Sequence, residues 1–148
     1  MSVENNVFMV RDNMPTPQQW LAAIKSQGFE MEMDTDFDVE EHEGFLPCKY
    51  KGVDAGFEYY AESVDIAEFL EDDLLTDEEA RQLGNRTFLV SLITHSDYRE
   101  YMTSMIASAV LCSLADGMFA EGGEPPFIMA SESVKWARDC IPEIEKEF

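Results

Sequence analysis

From Phe29 to Val39 the chain alternates without a break: Phe29, Met31, Met33, Thr35, Phe37 and Val39 occupy the odd positions, and Glu30, Glu32, Asp34, Asp36 and Asp38 the even ones. A period of two places successive side chains on opposite faces of a strand, so the run predicts a two-faced strand with one face in a core and a row of five carboxylates on the other. Elsewhere the pattern changes period. Before it, NVFMVR (6–11) predicts a first strand. MPTPQQWLAAIKSQG predicts a short helix, with Thr16 as N-cap, Pro17 at the first helical position, Trp20, Leu21 and Ile24 on one face and Gly28 as the stop.

After the acidic run, FLPCKYKG (45–52) and GFEYYAESV (56–64) predict a hairpin, with Pro47 favouring an edge position. Thr76 with Glu79 three residues on forms a capping-box pattern for a short helix ending near Gly84. The stretch from Asp65 to Leu75 reads either as helix or as acidic loop. RTFLVSLITHS (86–96) predicts a central strand. It leads into the longest helix, about 97–115, with Tyr98, Tyr101, Met102, Met105, Ile106, Ala109 and Val110 at helical spacing. GMFAEGGEPPFIMA predicts two short strands about a turn. Ser131 then caps a last helix holding Val134, Ala137 and Ile141 and interrupted or ended near Pro142. Hairpins mixed with helices predict an α+β fold: one domain over 1–148, a largely antiparallel sheet of about five to seven strands, and helices packed on one face.

Charge sharpens this picture. Thirty-one acidic residues against ten basic ones give a net charge of -21. That balance repels nucleic acid and anionic membranes, so neither is expected as a partner. Two segments carry most of the excess: residues 30–43 hold eight acids and residues 58–79 hold ten, and neither contains Lys or Arg. The start, MSVENNVFMVRD, lacks the basic and apolar regions of a signal peptide, and no apolar run reaches the ~18 residues of a membrane span, which points to a cytoplasmic protein. Cys48, Cys112 and Cys140 are odd in number and widely spaced, and are expected as free, structural thiols.

The candidate chemistry is sparse. DTDFDVEEHEGF sets Asp at the first, third and fifth places of a calcium loop, but Val39 stands where the sharp turn needs Gly and Phe45 where the site needs a bidentate Glu. His42, His95 and three scattered cysteines lack the clustering of a zinc site. No GxSxG turn or phosphate-cradling glycine loop is present. No catalytic residue, metal or cofactor is therefore expected. Tyr59 and Tyr60 are adjacent on a predicted strand, so one of them must face out as an interface candidate.

A one-sign carboxylate ladder either keeps an exposed strand from pairing with other strands or waits for a positive partner. The second acidic block favours the partner. RDNMPTPQQWLAAIKSQGF, GFLPCKYKGVDAGFEYY and LADGMFAEGGEPPF, in a small acidic α+β chain, resemble the immunity proteins that bacteria keep beside secreted toxins. That resemblance implies one-to-one neutralisation of a cognate toxin, with acidic members capping basic nuclease sites. The expected function is a non-catalytic inhibitor that binds a basic partner through Glu30, Glu32, Asp34, Asp36 and Asp38, helped by Glu68, Glu71, Asp72 and Asp73, with an apolar rim from Phe45 and Tyr59 or Tyr60. The alternatives are a structural or adaptor domain forming a homodimer, and a small ligand-binding or enzymatic module.

Overall fold

A computed structural model describes residues 2–147. Seven strands form one antiparallel sheet: β1 (Val3–Met9), β2 (Met31–Met33), β3 (Gly44–Tyr50), β4 (Val53–Ser63), β5 (Phe88–Thr94), β6 (Met118–Ala120) and β7 (Ile128–Met129). Their spatial order is β2-β3-β4-β5-β1-β6-β7. Five helices accompany them: α1 (Pro17–Ser26), α2 (Ile66–Glu71), α3 (Asp77–Leu83), α4 (Tyr98–Leu114) and α5 (Ser133–Glu145). The fold is α+β. Among the described residues no helix is long and apolar enough to cross a membrane.

The pleat sorts the strands into two faces. Val7, Met9, Phe57, Tyr59, Val90 and Leu92 enter the main core with α1, α4 and α5, whereas Phe8 and Leu89, one residue out of step, belong to a smaller cluster with Leu75, Leu83, Met118 and Ala120. The three longer helices thus share one face. The short pair α2 and α3 lies on the other, over the β5-β1-β6 end of the sheet.

Helix α4 is the centre of the main core. Every residue from Met102 to Cys112 is buried, so over this central stretch the helix has no solvent face, where the sequence spacing suggested a single apolar one. Of its buried polar side chains, Thr103 Oγ1 donates back to Glu100 O at 2.8 Å and Ser104 Oγ accepts from Asn5 Nδ2 at 3.0 Å, while Ser108 Oγ has no partner among the described residues. The carbonyls of Ala107 and Ala109 accept from Trp20 Nε1 at 3.0 Å and Ser133 Oγ at 2.7 Å, which ties α1 and α5 to it. Such pairing is what makes polar groups tolerable in a core.

Local signals account for the helix starts. Thr16 and Gln19 form a complete capping box ahead of α1, with Pro17 at its first position, and Thr76 and Glu79 do the same for α3. For α5 the expected Ser131 cap is absent: the helix begins after Glu132 without a side-chain cap and runs through Pro142 to Glu145. The first strand lies earlier than the expected 6–11, because its central residues pair with β5 and β6 on both sides. β3 lies inside the sheet and not at the edge that Pro47 favoured, and the β2–β3 ladder ends at Pro47: the last pair is Met33 with Cys48, and beyond it Pro47 O accepts from Asp34 N while proline has no N–H to return.

The acidic strand departs most from expectation. Burial alternates from Phe29 through Val39, but ladder bonds extend only from Glu30, whose carbonyl accepts from Lys51 N, to Asp34, whose N–H donates to Pro47 O. Aspartate side chains end the strand. Asp34 Oδ1 accepts from Asp36 N at 2.9 Å and Asp38 Oδ1 from Glu40 N at 2.9 Å, two local turns that replace sheet pairing. The remaining loop is pinned to the core by Tyr59 Oη, which donates to Val39 O at 2.6 Å, and by Phe37 edge-on to the Tyr59 ring.

Candidate partner-binding face

The sheet face opposite the main core is covered only at its β5-β1-β6 end. Over β2, β3 and β4 it is open. By alternation from the buried set, this face carries Glu30 and Glu32 at the β2 edge, then Phe45 and Lys49 from β3, then Asp54, Glu58, Tyr60 and Glu62 from β4. Phe45 and Tyr60 are among the few large apolar side chains left exposed, Phe45 by 52% and Tyr60 by 36%.

Phe45 owes its position to Gly56. The two lie on the paired strands β3 and β4, and the Phe45 ring occupies the space above Gly56, where an added Cβ would come within 2.6 Å of Phe45 Cζ. Gly56 has φ +140°, which an L side chain rarely adopts. The bare backbone therefore leaves room for an exposed aromatic ring over Gly56.

Glu58 organises the middle of the face. Its carboxylate accepts from Tyr60 Oη at 3.2 Å and stands 2.8 Å from His95 Nε2. The Glu58 charge raises the Tyr60 hydroxyl above its ordinary value, so that group stays a neutral donor. Sequence reasoning missed Glu58, Glu62 and His95 as a group. The strand spacing Glu58, Tyr60, Glu62 held the signal, since residues two apart share a face.

The sequence-predicted contact residues divide. Glu30 and Glu32 lie on the open face with Asp34 next to them, but Asp36 and Asp38 belong to the loop that turns toward Tyr59 and α1, so five carboxylates do not form one ladder. Nor is the acidic segment without cations: Lys25 Nζ meets Glu32 at 2.8 Å and, in the loop beyond, Arg11 meets Glu40 at 3.1 Å, both pairs well exposed. Exposed pairs of this kind contribute about 0–1 kcal/mol. Tyr59 must be withdrawn as a contact residue. It is fully buried, and burial, with Asp38 and Glu40 behind it, raises its hydroxyl well above the ordinary tyrosine range. Tyr60 is the tyrosine that faces out.

Glu68, Glu71, Asp72 and Asp73 are all exposed on α2 and the turn after it. Three of them crowd the helix C-terminus, which has no basic residue in its last turn. Negative charge there opposes the helix dipole, so the arrangement costs the fold stability. The sheet face thus has an acidic edge at β2, an acidic helix pair at its far side, and Phe45 and Tyr60 between them.

Cys48 and Cys112 are buried free thiols, and burial pushes Cys112 up to about 12 and Cys48 higher still. Both are poor nucleophiles in this state. Among the described residues no three His, Cys, Asp or Glu side chains converge as a metal site. Comparison with protein-family models, curated proteins and solved structures returned no match.

Proposed function

We propose that this chain is a non-catalytic binding protein that takes a basic protein partner on the open sheet face, acting as an immunity-type inhibitor of a nuclease-like toxin. One observation carries the reading: two acidic segments distant in sequence flank one uncovered strip that exposes Phe45 and Tyr60. Aromatic anchors inside a mainly acidic rim combine desolvation with steering, since the carboxylates raise the encounter rate and the rings hold the complex. Glu30, Glu32, Asp34, Glu58 and Glu62 form the near wall and floor, and Glu68, Glu71, Asp72 and Asp73 the far wall. A basic nuclease surface selected to hold phosphates meets carboxylates spaced along a strand, and its active site is closed by occupancy alone.

The test needs a basic toxin domain, to be sought first among the genes adjacent to this one. The purified chain should bind it one to one, inhibit it, and lose affinity steeply as ionic strength rises. Tyr60→Ala combined with Glu58→Lys should abolish protection of cells expressing the toxin. Affinity indifferent to salt, or protection surviving both substitutions, would sink the proposal. A solution mass of two chains with Phe45 and Tyr60 shielded would transfer the face to a homodimeric adaptor.

A further inference from the structure

A second site lies beneath α2 and α3. There the smaller cluster does not close, and a groove of about 480 Å³ remains between the sheet, the α2–α3 turn and the loop before β7. That size falls within the range of small-molecule pockets. Its floor is aromatic and aliphatic: Phe8, Leu89 and Phe127, with Phe69 and Phe127 both edge-on to the Phe8 ring at 6.2 and 5.9 Å.

Two features give this groove a chemical preference. The first is charge. Glu62, Asp73, Glu79 and Glu124 line it, and among the described residues no Lys, Arg or His does. The second is Asn6, on its wall. Asn6 is only 8% exposed, and its carboxamide oxygen has no hydrogen-bond partner among the described residues. Its neighbour Asn5 makes the contrast: Asn5 Nδ2 donates to Ser104, and its Oδ1 accepts from Gly122 N at 3.1 Å, fixing the loop that forms one wall. A buried acceptor without a donor costs about 1–3 kcal/mol, and because the oxygen is itself closed off, a ligand donor recovers this only once the amide turns. A half-turn of the Asn6 amide about Cβ–Cγ exchanges its oxygen and nitrogen at the wall.

We infer that this groove binds a small organic ammonium: an aromatic or branched apolar body on the Phe8, Phe69 and Phe127 rings, and a cationic nitrogen donating to Asn6 and neutralised by the surrounding carboxylates. An anion is repelled by the four acids, and a purely apolar ligand leaves Asn6 unpaired. The groove adjoins the open face and shares Glu62 and Asp73 with its acidic rim, but it requires no protein partner, so its failure leaves the proposal above standing.

Tryptamine and its neutral counterpart tryptophol are the probes, read by calorimetry and by amide shifts in NMR. Tryptamine should bind saturably, shift Phe8, Phe69, Leu89 and Phe127, and bind about tenfold or more tighter than tryptophol. Asn6→Leu should weaken tryptamine. So should Glu62→Gln with Glu79→Gln and Glu124→Gln, a combination that keeps the α3 capping box because Gln also serves at that position. Tryptophol binding should be unchanged in the triple variant. The inference is overturned if tryptamine gives no saturable shifts, if tryptophol binds as well, or if the triple variant holds tryptamine as tightly. It is also overturned if both amine and alcohol fail while a basic amphipathic peptide occupies the groove.

Discussion

Replacing Tyr59 by Phe removes one oxygen and leaves the ring. Phe37 at 5.3 Å, His42 at 6.0 Å and Trp20 at 6.2 Å keep their packing, so the loss is confined to the hydrogen bond to Val39 O. A net contribution near 1 kcal/mol is usual for such a bond, and the Val39 carbonyl left behind in a half-buried site adds to it, for a total of about 1–2 kcal/mol. In a chain of this size each kcal/mol moves Tm by about 2–4 °C, which predicts a fall of about 2–8 °C in a melt followed by circular dichroism. Because the bond pins the loop from Asp34 to Glu43, amide exchange there should quicken more than in β4 itself. Tyr60→Phe is the control: it removes an exposed bond to Glu58 and should stay within about 0.5 kcal/mol of the parent. Equal effects from the two substitutions, or loop protection unchanged in Tyr59→Phe, would refute the assignment of buried and outward tyrosines to different tasks.

Gly56→Ala should lower the urea midpoint, with about 1–3 kcal/mol from the backbone at φ +140° alone and more from the clash of the new methyl with the Leu46 carbonyl and the Phe45 ring; an unchanged midpoint would show that the strand relaxes freely. Ellman's reagent should label Cys140 in the native protein and reach Cys48 and Cys112 only on unfolding, so three fast thiols would contradict the burial of the other two. Above about pH 10 the unfolded chain ionises Tyr59 while the folded chain keeps it neutral, so stability should fall with rising pH by about 1.4 kcal/mol per unit from this group. Tyr50, pushed up to about 12, acts in the same direction, and urea melts showing flat stability from pH 9 to pH 11, in about half-unit steps, would contradict both. Thr76→Ala should cost about 1 kcal/mol through loss of the α3 capping box, seen as faster amide exchange in α3 with α1 unaffected.

The sequence carried the elements whose signals are local. Thr16, Pro17 and Gln19 declare the start of α1 through groups within one turn, and the β3–β4 hairpin follows from two apolar runs around Gly52. What it concealed depends on distant partners. Thr103, Ser104 and Ser108 made α4 look half-exposed, yet the helix is buried because Asn5, Trp20 and Ser133 reach it from other elements. In the acidic run two properties of aspartate competed. Its charge and spacing suggested a strand, while its short side chain favours local turns, and from Asp34 onward the turns win where β3 presents Pro47, which accepts from Asp34 N but has no N–H to return. Burial nevertheless keeps its period of two to Val39, since Phe37 and Val39 still lean on Tyr59.

The convergence of the two acidic blocks was beyond any reading of spacing, because it comes from the path of the chain. From β1 in the interior of the sheet, α1 crosses the main-core face and delivers the first block to the β2 edge. Between the adjacent strands β4 and β5 the chain could have turned in a few residues, but it detours through α2 and α3 on the opposite face and carries the second block there. A detour that only solvated the fold would gain nothing from placing Glu71, Asp72 and Asp73 against the dipole at the end of α2, or from leaving the strip beside them uncovered with Phe45 and Tyr60 exposed. Each of these features weakens the isolated chain, and all of them lie on one side of the sheet. A positive surface docked on that side would oppose the dipole conflict, screen the repulsion and cover the rings together, which is why we propose a basic partner, and not solubility, as the reason for the placement.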